Sequence, residues 1–115
     1  MADEIEIVAY DARWPERFAL EAVRIRRVLA EPSIEIEHHG STAVPGLAAK
    51  PVIDMLVAVE SMEIAERQAA ALIENGYEAV DARYRQVWSE RIVLIGREHG
   101  ARMCHVHLML RGHPI

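Results

Sequence analysis

The chain of 115 residues carries 18 Asp and Glu against 13 Lys and Arg, a formal net charge of −5. This length allows one domain with one hydrophobic core. The acidic balance excludes a general nucleic-acid-binding surface, which is basic, but not the binding of a nucleotide. The single cysteine fits a reducing compartment, and the sequence shows neither a membrane-spanning run nor a signal-peptide pattern. We therefore expect a cytoplasmic protein without membrane contact.

Hydrophobic periodicity predicts two helices and several short strands. Pro15 stands where a first helical residue is favoured, Ser61 is suited to cap a second helix, and Gly76 is suited to end it. A polar connection is expected at 81–85 and a hairpin turn at 97–100. In chain order, the predicted elements are strand 5–9, helix 16–30 ended by Pro32, strand 33–39, strand 52–60, helix 61–75, strand 77–80, strand 87–96 and strand 103–110.

The last predicted strand separates apolar from polar side chains by strict alternation. His105 and His107, two residues apart, project in the same direction, with Met103 and Met109 on their face. Such a pair on the face away from the core is typical of a metal site or of acid–base chemistry. The opposite face is wholly apolar, with Cys104, Val106, Leu108 and Leu110.

A glycine-containing loop precedes the third predicted strand. Gly40 lets the backbone turn tightly or approach a ligand. The hydroxyls and N–H groups of Ser41 and Thr42, which follow it, are suited to hold phosphate oxygens. Gly-Ser-Thr followed by Pro and Gly is also common loop chemistry, so the motif alone does not decide between a phosphate loop and an ordinary turn.

Asp54 is the residue of this region that most needs an explanation. It lies in an otherwise apolar strand, where a carboxylate is costly unless it is paired or bound to a metal ion. An Asp at such a position also caps turns in many proteins. Alternation directs His38 to the core and His39 to the open face, but a bulge before the loop reverses that, so either histidine remains a candidate.

The run from 38 to 54, His-x-Gly-Ser-Thr-Ala-Val-Pro-Gly-Leu-Ala-Ala-Lys-Pro-x-Ile-Asp, resembles the signature of the GrpB family. The resemblance spans nearly the whole chain. It implies a nucleotidyltransferase-like fold, and a relation to the domain fused to the C-terminus of some dephospho-CoA kinases. Further matching residues are Tyr10, Trp14, Pro15, Phe18, Glu21, His105 and His107.

The sequence departs from the nucleotidyltransferase pattern in its acids. That pattern has Gly-Ser on a loop, Asp-x-Asp or Asp-x-Glu on the next strand, and a third acid on a later strand. Asp54 matches the first acid, but Leu56 stands at the second position and His105 and His107 stand in the last strand. Two-metal nucleotidyl transfer requires more carboxylates than one.

The resemblance also carries an expectation about length. Relatives continue past the His-x-His strand into a helical segment. We therefore expect residues 1–115 to form one GrpB-type domain that lacks this segment. Apolar surface is then expected on the C-terminal side, where it offers a route to self-association.

We accordingly expect an α+β fold, a mixed and mainly antiparallel sheet with two helices packed on one face. The leading hypothesis is a nucleotidyltransferase-like protein that binds a nucleotide or phosphorylated small molecule together with one divalent ion, Mg or Mn, or Zn. The alternatives are a non-catalytic ligand-binding or kinase-assisting module, and a single-metal hydrolase that uses Asp54, His105 and His107. The expected ligand-binding residues are Gly40, Ser41, Thr42, Lys50 and His38, the expected metal ligands are Asp54, His105 and His107, and the expected catalytic residues are Asp54 and His107.

Overall fold

A computed structural model of the protein describes residues 6–31, 34–80 and 91–112. The elements are α1 (Trp14–Leu29), β1 (Ile36–His39), a 3-10 turn (Ser41–Ala43), β2 (Ile53–Val59), α2 (Met62–Glu74), β3 (Glu78–Ala79), β4 (Arg91–Glu98) and β5 (Ala101–Leu110). The described strands form one sheet in the order β1-β2-β5-β4-β3, in which β2 and β5 are parallel and the other neighbours are antiparallel. This confirms the predicted α+β class and its mixed, mainly antiparallel sheet.

Both helices follow from their end residues and from an apolar stripe. Pro15 stands in the first turn of α1, and Ala30 closes that helix in the left-handed conformation with φ 53°. The Ser61 hydroxyl caps α2 by accepting the Ile64 N–H at 3.2 Å, as its position in the sequence predicts. Gly76 follows α2 with φ 102°, which glycine adopts at little cost.

The core lies between the two helices and one face of the sheet. The buried apolar stripes of α1 and α2 pack against alternate residues of the three central strands. On β5, Cys104, Val106 and Leu108 are fully buried, which confirms the predicted apolar face. Burial of each large aliphatic side chain stabilises the fold by roughly 1.5–3 kcal/mol. The other large side chains with the least exposure are Ile25, Ile53, Met55, Val57, Leu72 and Leu94.

One buried polar contact joins α1 to the segment between α2 and β3. The Tyr77 hydroxyl donates a hydrogen bond to the Glu21 carboxylate, and Arg24 lies 3.6 Å from the same carboxylate. The Arg24 guanidinium also stacks over the Tyr77 ring, 5.1 Å from its centroid. A buried carboxylate requires such partners, since burying it unpaired costs several kcal/mol.

The hairpin turn predicted at 97–100 is confirmed. β4 and β5 are joined by His99 and Gly100, whose φ angles of 54° and 82° are both positive. A two-residue loop of this kind matches the right-handed twist of the strands it connects.

The predicted first strand, 5–9, is wrong over its described part. Val8 forms only an isolated bridge with Ala49, through hydrogen bonds of 2.9 and 3.0 Å, and Ile7 remains 63% exposed. The segment pairs with a loop instead of a strand, so the alternation of its side chains has no ladder to follow. Residue 5, Pro32 and Ser33, the connection at 81–85 and the start of the strand predicted at 87 lie outside the described residues.

Two observations bear on the rest of the surface. Among the described residues, no helix has the length and apolarity needed to cross a membrane. Met109, which lies on the histidine face of β5, is only 5% exposed. The face opposite the helices is therefore partly covered at this end of the sheet, while its other end carries the candidate site.

Candidate functional site

Parallel pairing of β2 with β5 brings three predicted metal ligands together. The register sets Asp54 beside His105 and Leu56 beside His107, on the sheet face that points away from the helices. Asp54 Oδ1 lies 3.4 Å from His105 Nδ1 and 3.2 Å from His107 Nε2. One potential ligand atom from each residue falls within 4.8 Å of the other two. Two imidazoles and a carboxylate on one face form a donor set that several divalent metals accept.

Asp54 is held as a carboxylate in this arrangement. Its partial burial acts to raise its pKa, but hydrogen bonds and positive charge from His105 and His107 outweigh that effect and lower the pKa well below the ordinary value. An ionised carboxylate only accepts hydrogen bonds, so both imidazoles donate to it. Asp54 is thus a fixed negative charge at neutral pH, as a metal ligand must be.

The outer nitrogens of the two histidines have different surroundings. His105 Nε2 lies 3.5 Å from Arg102 Nη1, at the edge of hydrogen-bond distance. His107 Nδ1 is buried and has no hydrogen-bond partner among the described residues. The ring is oriented by its other nitrogen, Nε2, which lies 3.2 Å from Asp54 Oδ1.

The loop after β1 supplies the second half of the site. Gly40, with φ 75°, turns the chain out of β1 and into the 3-10 turn of Ser41–Ala43. Within that turn the Ala43 N–H bonds to Gly40 and the Val44 N–H bonds to Ser41, both at 3.1 Å. The predicted tight turn at Gly40 is therefore present, and it directs Ser41 and Thr42 towards Asp54.

One open cavity of about 370 Å³ connects the loop with the metal-ligand cluster. Five of the predicted site residues line it: Ser41, Thr42, Lys50, Asp54 and His105. Its volume falls within the range of small-molecule sites in proteins. The remaining lining residues, which the sequence interpretation did not include, are Ile7, Ala48, Ala49 and Val52. The Val8–Ala49 bridge, a long-range contact without a sequence signal, brings Ile7 to this position.

The histidines at the end of β1 occupy opposite faces. His38 pairs with the buried Met55 and faces α1, where its ring stacks on Phe18 at 4.9 Å. His39 is the residue in register with Asp54, so it lies on the site face. Strict alternation therefore holds up to Gly40. His38, the predicted ligand-binding residue, is outside the set that lines the cavity, and it contacts that set through Thr42, 2.9 Å from its Nε2.

Comparison with known proteins gives the family. The profile described as "GrpB protein" matches residues 4–115. A UPF0157 protein of Streptomyces coelicolor is 38% identical over 117 residues, which cover 96% of this chain and 61% of that protein. A dephospho-CoA kinase of Mycobacterium tuberculosis is 35% identical over 74 residues, covering 62% of this chain and 18% of the kinase. The chain thus spans less than two thirds of the length of these relatives.

Solved structures agree on the fold. The crystal structure of GrpB from Enterococcus faecalis superposes with a TM-score of 0.79 at 34% identity, over 93% of this chain and 62% of that one. The Cid1 poly(U) polymerase superposes with a TM-score of 0.55 at 22% identity, over 92% of this chain and 34% of the polymerase. At that identity the second likeness concerns the fold alone. The chain belongs to the GrpB family and has a nucleotidyltransferase-like fold.

Proposed function

We propose that the protein binds a nucleotide or another phosphorylated small molecule, together with one divalent metal ion, and that it acts on the phosphate. The observation that carries this proposal is one cavity lined by two hydroxyl residues of the loop, by the lysine and by two members of the Asp-His-His cluster, namely Ser41, Thr42, Lys50, Asp54 and His105. Each part has a chemical preference for the same ligand. The turn and the lysine are suited to bind the phosphate anion. The cluster is suited to bind a metal cation, which in turn attracts the phosphate.

The metal half of the proposal rests on the donor set. Asp54 contributes one negative charge and His105 and His107 contribute neutral nitrogens, so a divalent ion held there would retain a positive charge. Such an ion would neutralise charge on a phosphate group and polarise its P–O bonds. Nitrogen donors favour Mn or Zn over Mg, which prefers an all-oxygen shell. We therefore narrow the expected ion to Mn or Zn.

The phosphate half rests on the loop and lysine residues that line the cavity. The Ser41 hydroxyl and the backbone of the 3-10 turn would donate hydrogen bonds to phosphate oxygens. Lys50 is the only lysine in the sequence, and it lines the same cavity. Its ammonium would add a mobile positive charge at the mouth of the site. Asp54 and His107 remain the proposed catalytic residues, because both would hold the ion that acts on the phosphate.

Two other functions have an observation in their favour. Similarity to part of a dephospho-CoA kinase fits a module that binds a ligand or assists a kinase without catalysis of its own. A cluster that holds a single carboxylate among the described residues, with Leu56 two residues after Asp54, fits a hydrolase that works with a single ion. The three functions differ in turnover, which makes them separable by one set of assays.

The test uses Lys50 as a reporter. Reductive methylation with 13C gives one lysine NMR signal, apart from the terminal amine, because the chain has no second lysine. Addition of inorganic phosphate, pyrophosphate or ATP with Zn²⁺ should shift this signal, and Asp54→Ala should remove the metal-dependent part of the shift. Lys50→Met should weaken phosphate affinity about fivefold or more, whereas Arg27→Met, an equal loss of charge on α1, should not. No shift with any phosphate compound would contradict the proposal.

Turnover then distinguishes the alternatives. 31P NMR of ATP, recorded with Zn²⁺ or Mg²⁺ and without Mn, measures the cleavage of the phosphate bonds directly. Transfer to an added acceptor indicates the transferase, release of phosphate or pyrophosphate to water indicates the hydrolase, and binding without turnover indicates the module. Two variants test the two halves of the site. His107→Ala removes a proposed metal ligand, so it should lower metal affinity and abolish turnover, whereas Ser41→Ala should lower phosphate affinity and leave metal affinity unchanged.

A further inference from the structure

His38 has a defined place beside the cavity, although it does not line it. Its ring lies nearly parallel to that of Phe18 on α1, with an interplanar angle of 10°, and its backbone is in register with the fully buried Met55. Stacking on Phe18 therefore restrains the plane of the imidazole. The ring presents one edge, Nε2, to the loop that follows Gly40.

The group that receives this edge is the hydroxyl of Thr42. Thr42 Oγ1 lies 2.9 Å from His38 Nε2, and Thr42 is only 2% exposed. A buried hydroxyl needs a partner, because leaving it unpaired costs more than the hydrogen bond itself contributes. The contact spans four residues and closes over Gly40, so it ties the end of β1 to the middle of the 3-10 turn.

We propose that His38 is a positioning residue, which holds Thr42 from behind and so fixes the 40–43 turn with Ser41 and its N–H groups facing the cavity. This inference rests on the proposed function, because it assigns the phosphate-binding turn a support. It differs from the ligand contact that the sequence indicates for His38. Preorganised donors bind an anion more tightly than mobile ones, since their ordering is complete before the ligand arrives.

Two substitutions separate the hydrogen bond from the packing. His38→Gln keeps a polar group at about the reach of Nε2, whereas His38→Leu keeps apolar contact with Phe18 and removes the hydrogen bond. Hydrogen exchange of the Ala43 and Val44 amides measures the turn directly, because both amides are bonded within it. Exchange of these amides should be about tenfold faster in His38→Leu and near the wild-type rate in His38→Gln, with amides of β2 unchanged in both.

Ligand affinity provides the second readout. With Zn²⁺ present, His38→Leu should lower the affinity for inorganic phosphate about tenfold and leave the affinity for Zn²⁺ within about twofold of wild type. His38→Gln should bind phosphate with an affinity near that of wild type. Equal exchange rates in the three proteins would overturn the positioning role. So would faster exchange spread equally over β2, which indicates general destabilisation. If wild-type protein binds no phosphate, the proposed function fails while the exchange rates still decide the role of His38.

Discussion

Asp54 Oδ2 occupies the space that a side chain on Gly40 would need. A Cβ built on Gly40 would lie 2.9 Å from this oxygen and 3.4 Å from the Asp54 Cβ. Gly40 also has φ 75° and ψ −165°, a backbone conformation that residues other than glycine adopt only with strain. The glycine of the loop and the acid of the strand are therefore one structural unit, in which the loop can approach the carboxylate because it lacks a side chain.

Replacing Gly40 with Ala should lower the free energy of unfolding by about 2–4 kcal/mol, the sum of backbone strain and crowding against Asp54. Chemical denaturation measures this loss. Gly46→Ala is the matched control, because Gly46 also has a positive φ, 83°, but has nothing within 4 Å of the added Cβ. Combining Gly40→Ala with Asp54→Ala should recover part of the loss. Equal losses in the two glycine variants would contradict a specific contact with Asp54.

A second glycine is required by the core. A Cβ on Gly96 would lie 2.6 Å from Cys104 Sγ and 3.1 Å from the Tyr77 ring. Both neighbours are buried, so Gly96→Ala should lower the free energy of unfolding by about 1–3 kcal/mol. Cys104→Ala removes the sulfur, and the loss caused by Gly96→Ala should be smaller in that background. Additive losses in the double variant would show that the two residues do not interact.

The same core predicts an inert cysteine. Burial, aided by the negative charge of Glu21, raises the pKa of Cys104 to about 12. The thiolate is the reactive form, so folded protein should resist alkylation by iodoacetamide at pH 8, and protein in denaturant should react fully. Mass spectrometry after a timed reaction measures both. Rapid modification of the folded protein would contradict the burial of this side chain.

His38 gives the stability a dependence on pH. Burial lowers its pKa below the ordinary 6.5, and the charge of Asp54 offsets this effect only in part. The folded state therefore binds a proton at His38 less readily than the unfolded state does. The contribution of His38 to the free energy of unfolding is fully present above pH 6.5 and is lost as the pH falls below that value. Denaturant midpoints between pH 7.5 and pH 5 should fall less steeply for His38→Gln than for wild type. Identical slopes would show that His38 titrates as it does in the unfolded chain.

Local sequence signals were sufficient for most of the fold. Ser61 and Gly76 mark the ends of α2 because capping and positive φ are properties of one residue and its immediate neighbours. The alternation in β5 identifies the buried and the histidine-bearing faces, because side-chain direction in a strand has a period of two. The same alternation, applied to β1, assigns His39 to the face of Asp54.

The features that the sequence alone does not determine depend on partners distant in the sequence. The segment 5–9 alternates like a strand, but Val8 meets only Ala49, so its pattern has no neighbouring strand to satisfy. The proximity of Asp54 to His105 and His107 follows from the parallel register of β2 and β5, which neither strand encodes alone. The role of His38 depends on its contacts with Phe18 and Thr42, which no periodicity contains.

The most direct test of the account is calorimetric titration of metal-free protein with Zn²⁺ and Mn²⁺. We predict one ion per chain, and a loss of affinity of about tenfold or more in each of Asp54→Ala, His105→Ala and His107→Ala, because each removes a ligand. His99→Asn is the control, since it removes an exposed histidine at a turn and keeps a residue that tolerates positive φ. Unchanged affinity in Asp54→Ala, with the loss in His99→Asn instead, would contradict a metal site at the Asp54 cluster.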